Sequence, residues 1–188
     1  MKIVSKQLLV DLTQRVERAT EAVQAFRELS IEQLNFKKHP ESWSVLECLE
    51  HLNLYGDFYL PEMEKQILGA KYGSVHVFQS GVLGNYFANL MLPGTDKMKK
   101  MKSPKDKNPT QSQLSLATID RFLKQQEHLQ RLLEMAKRVD LTKTKTSISL
   151  SKWIRLRLGD TFRFYVFHIQ RHILQAEKIP LRETPVKP

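Results

Sequence analysis

The feature that most constrains the fold is an apolar pattern with steps of three and four residues, which recurs in four long stretches. This spacing matches the 3.6 residues in each turn of an α-helix, so each stretch predicts a helix with one apolar face. The apolar positions of the first stretch, residues 5–29, are Leu8, Leu12, Val16, Ala19, Val23 and Phe26. Charged residues lie between them, so only one face of this helix is suited to a core.

The second predicted helix has a clear start. Ser44 is followed three residues later by Glu47, which is the pattern of a capping box, and Trp43 directly precedes the cap. The apolar spacing then continues to about Leu68. Because Pro61 lies inside this stretch and has no N–H to donate, we expect it to kink or interrupt the helix.

Residues 70–109 are predicted to be irregular, since several glycines and prolines interrupt them, with a short helix at residues 82–92. A third long helix is predicted over residues 110–139 and a fourth over residues 160–178. The inner face of the third helix is predicted to comprise Leu116, Ile119, Phe122, Leu123, Leu129, Leu132 and Leu133. Between these helices, a polar loop precedes residues 150–158, which are expected to form a short helix or an extended turn.

These elements predict an all-α fold: a four-helix bundle with a long crossover connection after the second helix. The chain has only 7 glycines and 8 prolines, too few for the tight turns of an all-β fold. A length of 188 residues suits one domain, so residues 1–188 are predicted to form a single unit. We expect a basic, flexible tail from about residue 180.

Cysteine content and hydropathy indicate the cellular compartment. Cys48 is the single cysteine, so no disulfide can form within the chain. The first residues are too polar for a signal peptide, and no stretch approaches the roughly 20 apolar residues of a membrane-spanning helix. We therefore expect a cytoplasmic protein with no membrane partner.

The net charge of +10 favours anionic partners. Much of the excess lies in a lysine-rich segment, residues 97–107, and in the tail through Arg182 and Lys187. The segment is either a solvated loop or an anion-binding surface. It contains no interleaved aromatic residues and no recognisable nucleic-acid motif, so nucleic acid is not the expected partner.

Two histidines on the fourth predicted helix carry the main chemical signal. His168 and His172 are four residues apart, so both side chains point to the same side of the helix. Apolar neighbours indicate a packed helix, in which imidazoles need polar partners. A metal ion would supply them, and His51 on the second helix is the candidate for a third ligand. The alternative is half-buried histidines without an ion, with His51 as an ordinary core histidine.

Three histidines without a fourth protein ligand would leave one coordination position open, as in catalytic metal sites. A carboxylate could also complete the set. Glu47 lies one turn before His51 on the same helix face, although its capping role competes for the side chain. Asp160 is instead expected to cap the start of the fourth helix.

Two stretches resemble the DinB-like superfamily. The first is ESWSVLECLEHL, with a Trp-Ser pair at the helix start and a histidine eight residues after the tryptophan. The second is LRLGDTFRFYVFHIQRHILQAEKI, which contains both histidines of the fourth helix and Gln175. The order and separation of these stretches also fit, so the resemblance covers nearly the whole chain.

The resemblance implies a four-helix bundle, often dimeric, whose three-histidine site holds a divalent ion, often nickel or zinc. The ligands it implies are His51, His168 and His172, and Glu47 and Gln175 are candidates for hydrogen bonds around them. Characterised members of the superfamily include S-transferases that use low-molecular-weight thiols and a mycothiol-dependent isomerase.

The leading hypothesis is a metal-dependent transferase that activates a low-molecular-weight thiol for attack on a small electrophilic substrate. Arg155, Arg157 and Arg163 are candidate anion-binding residues for such a thiol, and ordinary surface charge is the alternative. A metal-dependent hydrolase with the same ligands, a non-catalytic metal-binding dimer and a nucleic-acid-associated stress protein are the competing hypotheses. Large apolar side chains in the connecting segments, Phe78 and Trp153 among them, predict a homodimer.

Overall fold

The computed structural model describes residues 1–93, 103–110, 112 and 114–180, apart from the side chain of Lys152. Most of the lysine-rich segment and the predicted basic tail therefore lie outside the described residues. Within the described part the protein is predominantly helical, as predicted, with two small two-stranded sheets. None of its helices combines the length and apolar character needed to cross a bilayer.

Six α-helices and four β-strands lie in the described part of the chain. In chain order they are β1 (Lys2–Val4), α1 (Ser5–Ala25), α2 (Ile31–Leu34), α3 (Val45–Leu68), β2 (Val77–Gln79), α4 (Val82–Met91), α5 (Ala117–Met135), β3 (Lys145–Ile148), β4 (Ser151–Arg157) and α6 (Leu158–Glu177).

Four long helices enclose the core. α1 and α3 each pack against both α5 and α6. The apolar stripe predicted for α1 is buried from Leu8 to Val23, and Phe26, which begins a 3-10 turn after the helix, is partly buried. Because burial of one such aliphatic side chain contributes about 1.5–3 kcal/mol, this stripe fixes the side of α1 that faces the core.

The capping box at the start of α3 is confirmed. The backbone N–H of Glu47 donates to Ser44 Oγ, and the backbone N–H of Ser44 donates to Glu47 Oε2. The helix continues through Pro61 to Leu68, so Pro61 does not interrupt it, and a kink at this residue stays a prediction. Pro61 and Asp57, the residue whose carbonyl loses its helical donor, are both exposed, and water can satisfy that carbonyl.

The crossover between α3 and α5 contains structure of its own. The short helix predicted at residues 82–92 is confirmed as α4, which packs against α6. β2 pairs antiparallel with β1, with Ile3 opposite Phe78. These three-residue strands are too short for an alternating apolar pattern, which explains why the sequence did not reveal them.

The third long helix begins seven residues later than predicted, at Ala117. The N–H of Ala117 donates to Ser115 Oγ, so the polar residue that supports the helix start is Ser115. Leu116, which was predicted to face the core, is 49% exposed because it lies before the helix. α5 ends at Met135, and a 3-10 turn continues the chain to Arg138.

The prediction of a short helix or turn at residues 150–158 is wrong, because most of this segment is strand β4. β4 pairs antiparallel with β3, and Thr146 stands opposite Leu156 with both side chains buried. The pairing shifts register between Ser147 and Ile148. Ile154 and Leu156 alternate with Arg155 and Arg157, which is the sequence signal of a strand that the helical interpretation overlooked.

α6 begins two residues before its predicted start, and the capping role predicted for Asp160 is wrong. The carboxylate of Asp160 is completely buried and needs several donors. It accepts the N–H of Gly81 at the start of α4, pairs with Arg163 at 3.2 Å and accepts the Ser80 hydroxyl. Asp160 therefore lies in the first turn of α6 without capping it, and its carboxylate stabilises the amino terminus of α4.

This contact predicts the effect of Gly84→Ala. Alanine favours a helix over glycine by at most about 1 kcal/mol. A Cβ at Gly84 would however stand 2.4 Å from Oδ2 of Asp160, whose carboxylate is held in place by three donors, Ser80, Gly81 and Arg163. Overpacking of this kind costs about 1–3 kcal/mol, so we expect a net loss of roughly 1–2 kcal/mol in the free energy of unfolding by denaturant.

Gly73→Ala is the matched control, since no atom lies within 4 Å of a Cβ at that position. Its unfolding midpoint should stay close to that of the unchanged protein. A Gly84→Ala midpoint at or above the control would contradict the packing described for Asp160.

Candidate metal centre

The fold brings the three predicted histidines together. α3 carries His51, and α6 carries His168 and His172 on the side that packs against α3. The ring centroids of His51 lie 5.1 Å from His168 and 4.6 Å from His172, and the centroids of His168 and His172 are 4.7 Å apart. One nitrogen from each ring lies within 4.8 Å of the other two.

The three imidazoles are held in their neutral form. His51 is 3% exposed and His168 4% exposed, whereas His172 is half-buried and closest to solvent. Burial, the largest cause, lowers the pKa of His51 to about 4 and that of His172 to about 3. It also lowers the pKa of His168 well below its usual range. At neutral pH each ring therefore has one nitrogen lone pair, which is the form that binds metals.

Hydrogen bonds fix which nitrogen of two rings is free. Nδ1 of His51 lies 2.5 Å from the backbone carbonyl of Lys107, and Nδ1 of His172 lies 3.0 Å from Gln175 Oε1. Carbonyl oxygens only accept hydrogen bonds, so both Nδ1 atoms carry the proton. The Nε2 atoms of His51 and His172 consequently hold the lone pairs.

His168 faces the His51 ring from α6. Its Nε2 lies 3.2 Å from Nε2 of His51, while its buried Nδ1 has no hydrogen-bond partner among the described residues. Without an ion, Nε2 of His168 must donate its proton to His51, because two facing lone pairs repel. With an ion bound, the neutral ring would carry its proton on Nδ1, and Nε2 of His168 could then serve as a ligand.

The donor set fits a divalent transition metal. Two nitrogens about 2.1 Å from one ion, at angles of about 90–110°, stand roughly 3.0–3.4 Å apart, and the 3.2 Å between Nε2 of His51 and of His168 falls in this range. No cysteine, aspartate or glutamate joins the three histidines within the described part of the chain. Neutral imidazoles alone favour zinc, nickel or copper over calcium or magnesium.

Two aromatic side chains that the sequence did not single out as site residues form the walls of the cluster. The indole of Trp43 lies 4.6 Å from the His51 ring and 5.6 Å from the His172 ring, centroid to centroid. On the other side, the Tyr55 ring lies 4.9 Å from His51 and 4.5 Å from His168. Tyr55 stands one helical turn after His51, and this spacing is the one sequence signal that could have identified it.

The segment 103–110 closes over His51 and was not predicted to do so. Ser103 Oγ lies 3.4 Å from Nδ1 of His51 and donates to the Lys107 carbonyl at 3.1 Å. The indole N–H of Trp43 donates to Thr110 Oγ1 at 3.1 Å, which joins this segment to the start of α3. Because the group that binds His51 is a backbone carbonyl, no residue type could have revealed it.

The two predicted supporting residues have different positions. Gln175 accepts the hydrogen bond from His172. The carboxylate of Glu47 accepts the Ser44 N–H in the capping box and pairs with Lys37 at 2.6 Å. The contacts described for Glu47 thus serve the start of α3.

The three candidate anion-binding arginines lie on β4 and α6. Arg163 is buried, and its guanidinium pairs with Asp160 and donates to Asn85 and Asn89. These contacts leave few N–H groups of the Arg163 guanidinium for a ligand. Arg155 is exposed on β4, and Arg157 donates to the Gln79 carbonyl, so anion binding by these two stays a prediction.

Comparison with known proteins identifies a family. The model of the DinB superfamily matches residues 13–176, a range that contains all three histidines. No curated protein and no solved structure matches the chain.

Cys48 is predicted to be an inert thiol. It lies three residues before His51, its side chain is completely buried, and burial raises its pKa far above the usual range. A mild alkylating agent should modify native Cys48 at least about 100-fold more slowly than the denatured chain, as mass spectrometry can measure. Labelling of the folded protein at the denatured rate would show that Cys48 is accessible.

Proposed function

The chain belongs to the DinB superfamily, and on this premise we propose that it is a metal-dependent enzyme whose ligands are His51, His168 and His172. The convergence of three neutral imidazoles carries the proposal, since one nitrogen of each ring lies within 4.8 Å of the other two and such nitrogens are the donor set of a divalent transition metal. The reaction proposed is transfer of a low-molecular-weight thiol to a small electrophile.

A bound nickel or zinc ion would supply Lewis acidity, which lowers the pKa of a thiol or a water molecule at an open coordination position. The protein's own residues prepare that position. The Lys107 carbonyl and Gln175 hold the His51 and His172 rings with Nε2 directed into the cluster. Because no carboxylate joins the cluster among the described residues, the ion would retain its full positive charge and favour an anionic thiolate.

The surroundings of the cluster define how a substrate would approach. His51 and His168 are buried, so access is proposed at the half-buried His172 beside Trp43. Trp43 and Tyr55 present aromatic faces, which keep water from the rings and suit an apolar electrophile. Burial raises the pKa of Tyr55 to about 12, so its hydroxyl stays protonated and can donate a hydrogen bond.

The proposal also covers the helix arrangement, the domain and the cellular compartment. We propose that α1, α3, α5 and α6 form the superfamily's four-helix bundle, within one domain over residues 1–188, in the cytoplasm. Of the two side chains named for the predicted homodimer, Phe78 is buried in the chain's own core and Trp153 is 95% exposed, so the homodimer stays a prediction. Sedimentation at micromolar concentration tests it directly.

Metal binding is tested by zinc titration of untagged protein against a chromophoric chelator. We expect one ion per chain, and His168→Ala should lower the affinity by more than about 100-fold because it removes a ligand. His128→Ala is the matched control: His128 pairs with Glu64 at 3.4 Å and stands outside the cluster. Equal affinities for the two variants would refute the assignment of ligands.

The reaction type is tested by turnover of a chromogenic electrophile by the metal-loaded protein. Product formation that requires an added thiol, and that His168→Ala abolishes, is the expected result. Hydrolysis of an ester or amide without thiol would favour the hydrolase, which uses the same ligands. Metal binding without either activity would leave a non-catalytic site.

The hydrogen bond from His172 to Gln175 predicts a further effect on metal affinity. Gln175→Leu keeps the size of the side chain but removes the acceptor that orients the ring. Loss of such a partner typically lowers metal affinity about 10–100-fold. Gln170→Leu is the control on the same helix, because Gln170 accepts from Arg15 and not from a histidine. The two variants should therefore differ in zinc affinity but little in helical content.

A further inference from the structure

The hairpin of β3 and β4 ends in two exposed apolar side chains. Leu150, at the turn between the strands, is 63% exposed, and Trp153, near the start of β4, is 95% exposed. A tryptophan with almost no contact to its own protein is unusual, since its large apolar area gains nothing from exposure to water. The turn is held against the body of the protein, because Ser149 lies within hydrogen-bond distance of the Tyr59 hydroxyl.

The outward face of the same hairpin is basic. Lys145 stands opposite Arg157 in the strand register, and the guanidinium of Arg155 donates to the Lys145 carbonyl. These three side chains share one face, because the alternate residues, Thr146 and Leu156, are buried. Residues 141–159 contain five lysines and arginines and no aspartate or glutamate.

The basic face continues onto the start of α4. Nε of Arg157 lies 3.5 Å from the position of a Cβ at Gly81, and the next residue, Val82, is 94% exposed. Tyr86, one helical turn later, is also exposed. We call Leu150, Trp153, Lys145, Arg155, Arg157 and Val82 together the hairpin surface.

We propose that the hairpin surface binds the interface of an anionic lipid bilayer. Trp153, Leu150 and Val82 would enter the boundary between headgroups and acyl chains, and Lys145, Arg155 and Arg157 would contact the lipid phosphates. Tryptophan and basic residues with apolar stems are the side chains that favour this boundary. The sequence predicted no membrane partner because no segment can span a bilayer, but a contact at the surface needs no such segment.

Charge and shape favour a bilayer over the other occupants. A second copy of the chain on this surface would bring two sets of like charges together. The phosphates of a nucleic acid would pair with the basic side chains, but the aliphatic side chains of Leu150 and Val82 cannot stack on bases. Of the apolar side chains on the hairpin surface, Trp153 alone could stack on a base. Neither objection applies to an anionic bilayer. The proposal does not depend on the metal centre.

The test uses the full chain and co-sedimentation with vesicles of phosphatidylcholine and phosphatidylglycerol, compared with phosphatidylcholine alone. We expect binding to the anionic vesicles only. Trp153→Ala should weaken it about tenfold or more, and Arg155→Ala about fivefold. The controls are Leu116→Ala and Lys124→Ala, which remove an exposed apolar and an exposed basic side chain elsewhere and should bind as the unchanged protein does.

Three outcomes would overturn the proposal. The first is equal or absent binding to both vesicle types, and the second is binding that Trp153→Ala leaves unchanged. The third applies when the unchanged protein binds no vesicles but forms a dimer or an oligonucleotide complex, and Trp153→Ala loses that dimer or complex. His168→Ala protein should bind vesicles normally, so failure of the metal assignment is distinguishable from failure of this one.

Discussion

The contact between α3 and α6 brings three imidazole rings together, two of them almost completely shielded from water, and much of the surrounding structure follows from this. A buried ring nitrogen must donate, accept or bind an ion, since an unpaired polar atom costs roughly 1–3 kcal/mol. Lys107 and Gln175 satisfy Nδ1 of His51 and His172. What remains are the Nε2 atoms and the orphaned Nδ1 of His168, and one metal ion accounts for the three Nε2 atoms at once.

The elements around the cluster fix the orientation of its rings. The capping box of Ser44 and Glu47 sets where α3 starts, and Trp43 directly before it packs on His51 and His172. The hydrogen bond from Trp43 to Thr110 connects this start to the segment that supplies the Lys107 carbonyl. The local cap and the crossover segment therefore both contribute to the orientation of His51.

Sequence reasoning was most successful where one local pattern determines the outcome. The spacing of His168 and His172 fixes their shared face, and Ser44 with Glu47 fixes the start of α3, whatever the rest of the chain does. His51 was identified as a third ligand only as a candidate, because its approach to α6 depends on long-range packing. The superfamily resemblance supplied what spacing alone could not.

The features that the sequence did not reveal have several physical causes. Asp160 resembles a local cap, but its burial directs it to donors on α4 that are remote in sequence. The apolar alternation of β4 covers only Ile154 to Arg157, too few residues to outweigh the helical interpretation, and a backbone carbonyl such as that of Lys107 leaves no mark on residue type. Exposure of Trp153 likewise cannot be read from sequence, since the same residue in a helix-like segment would be expected to pack.

The central claim, that three imidazoles share one ion through Nε2, is tested most directly by X-ray absorption spectroscopy of the zinc-loaded protein. The account predicts nitrogen scatterers at about 2.0–2.1 Å and the multiple-scattering pattern of three imidazole rings. His128→Ala should leave that pattern unchanged, and His172→Ala should reduce it to two rings. A spectrum with one imidazole or none, or with sulfur from Cys48 at about 2.3 Å, would contradict the site.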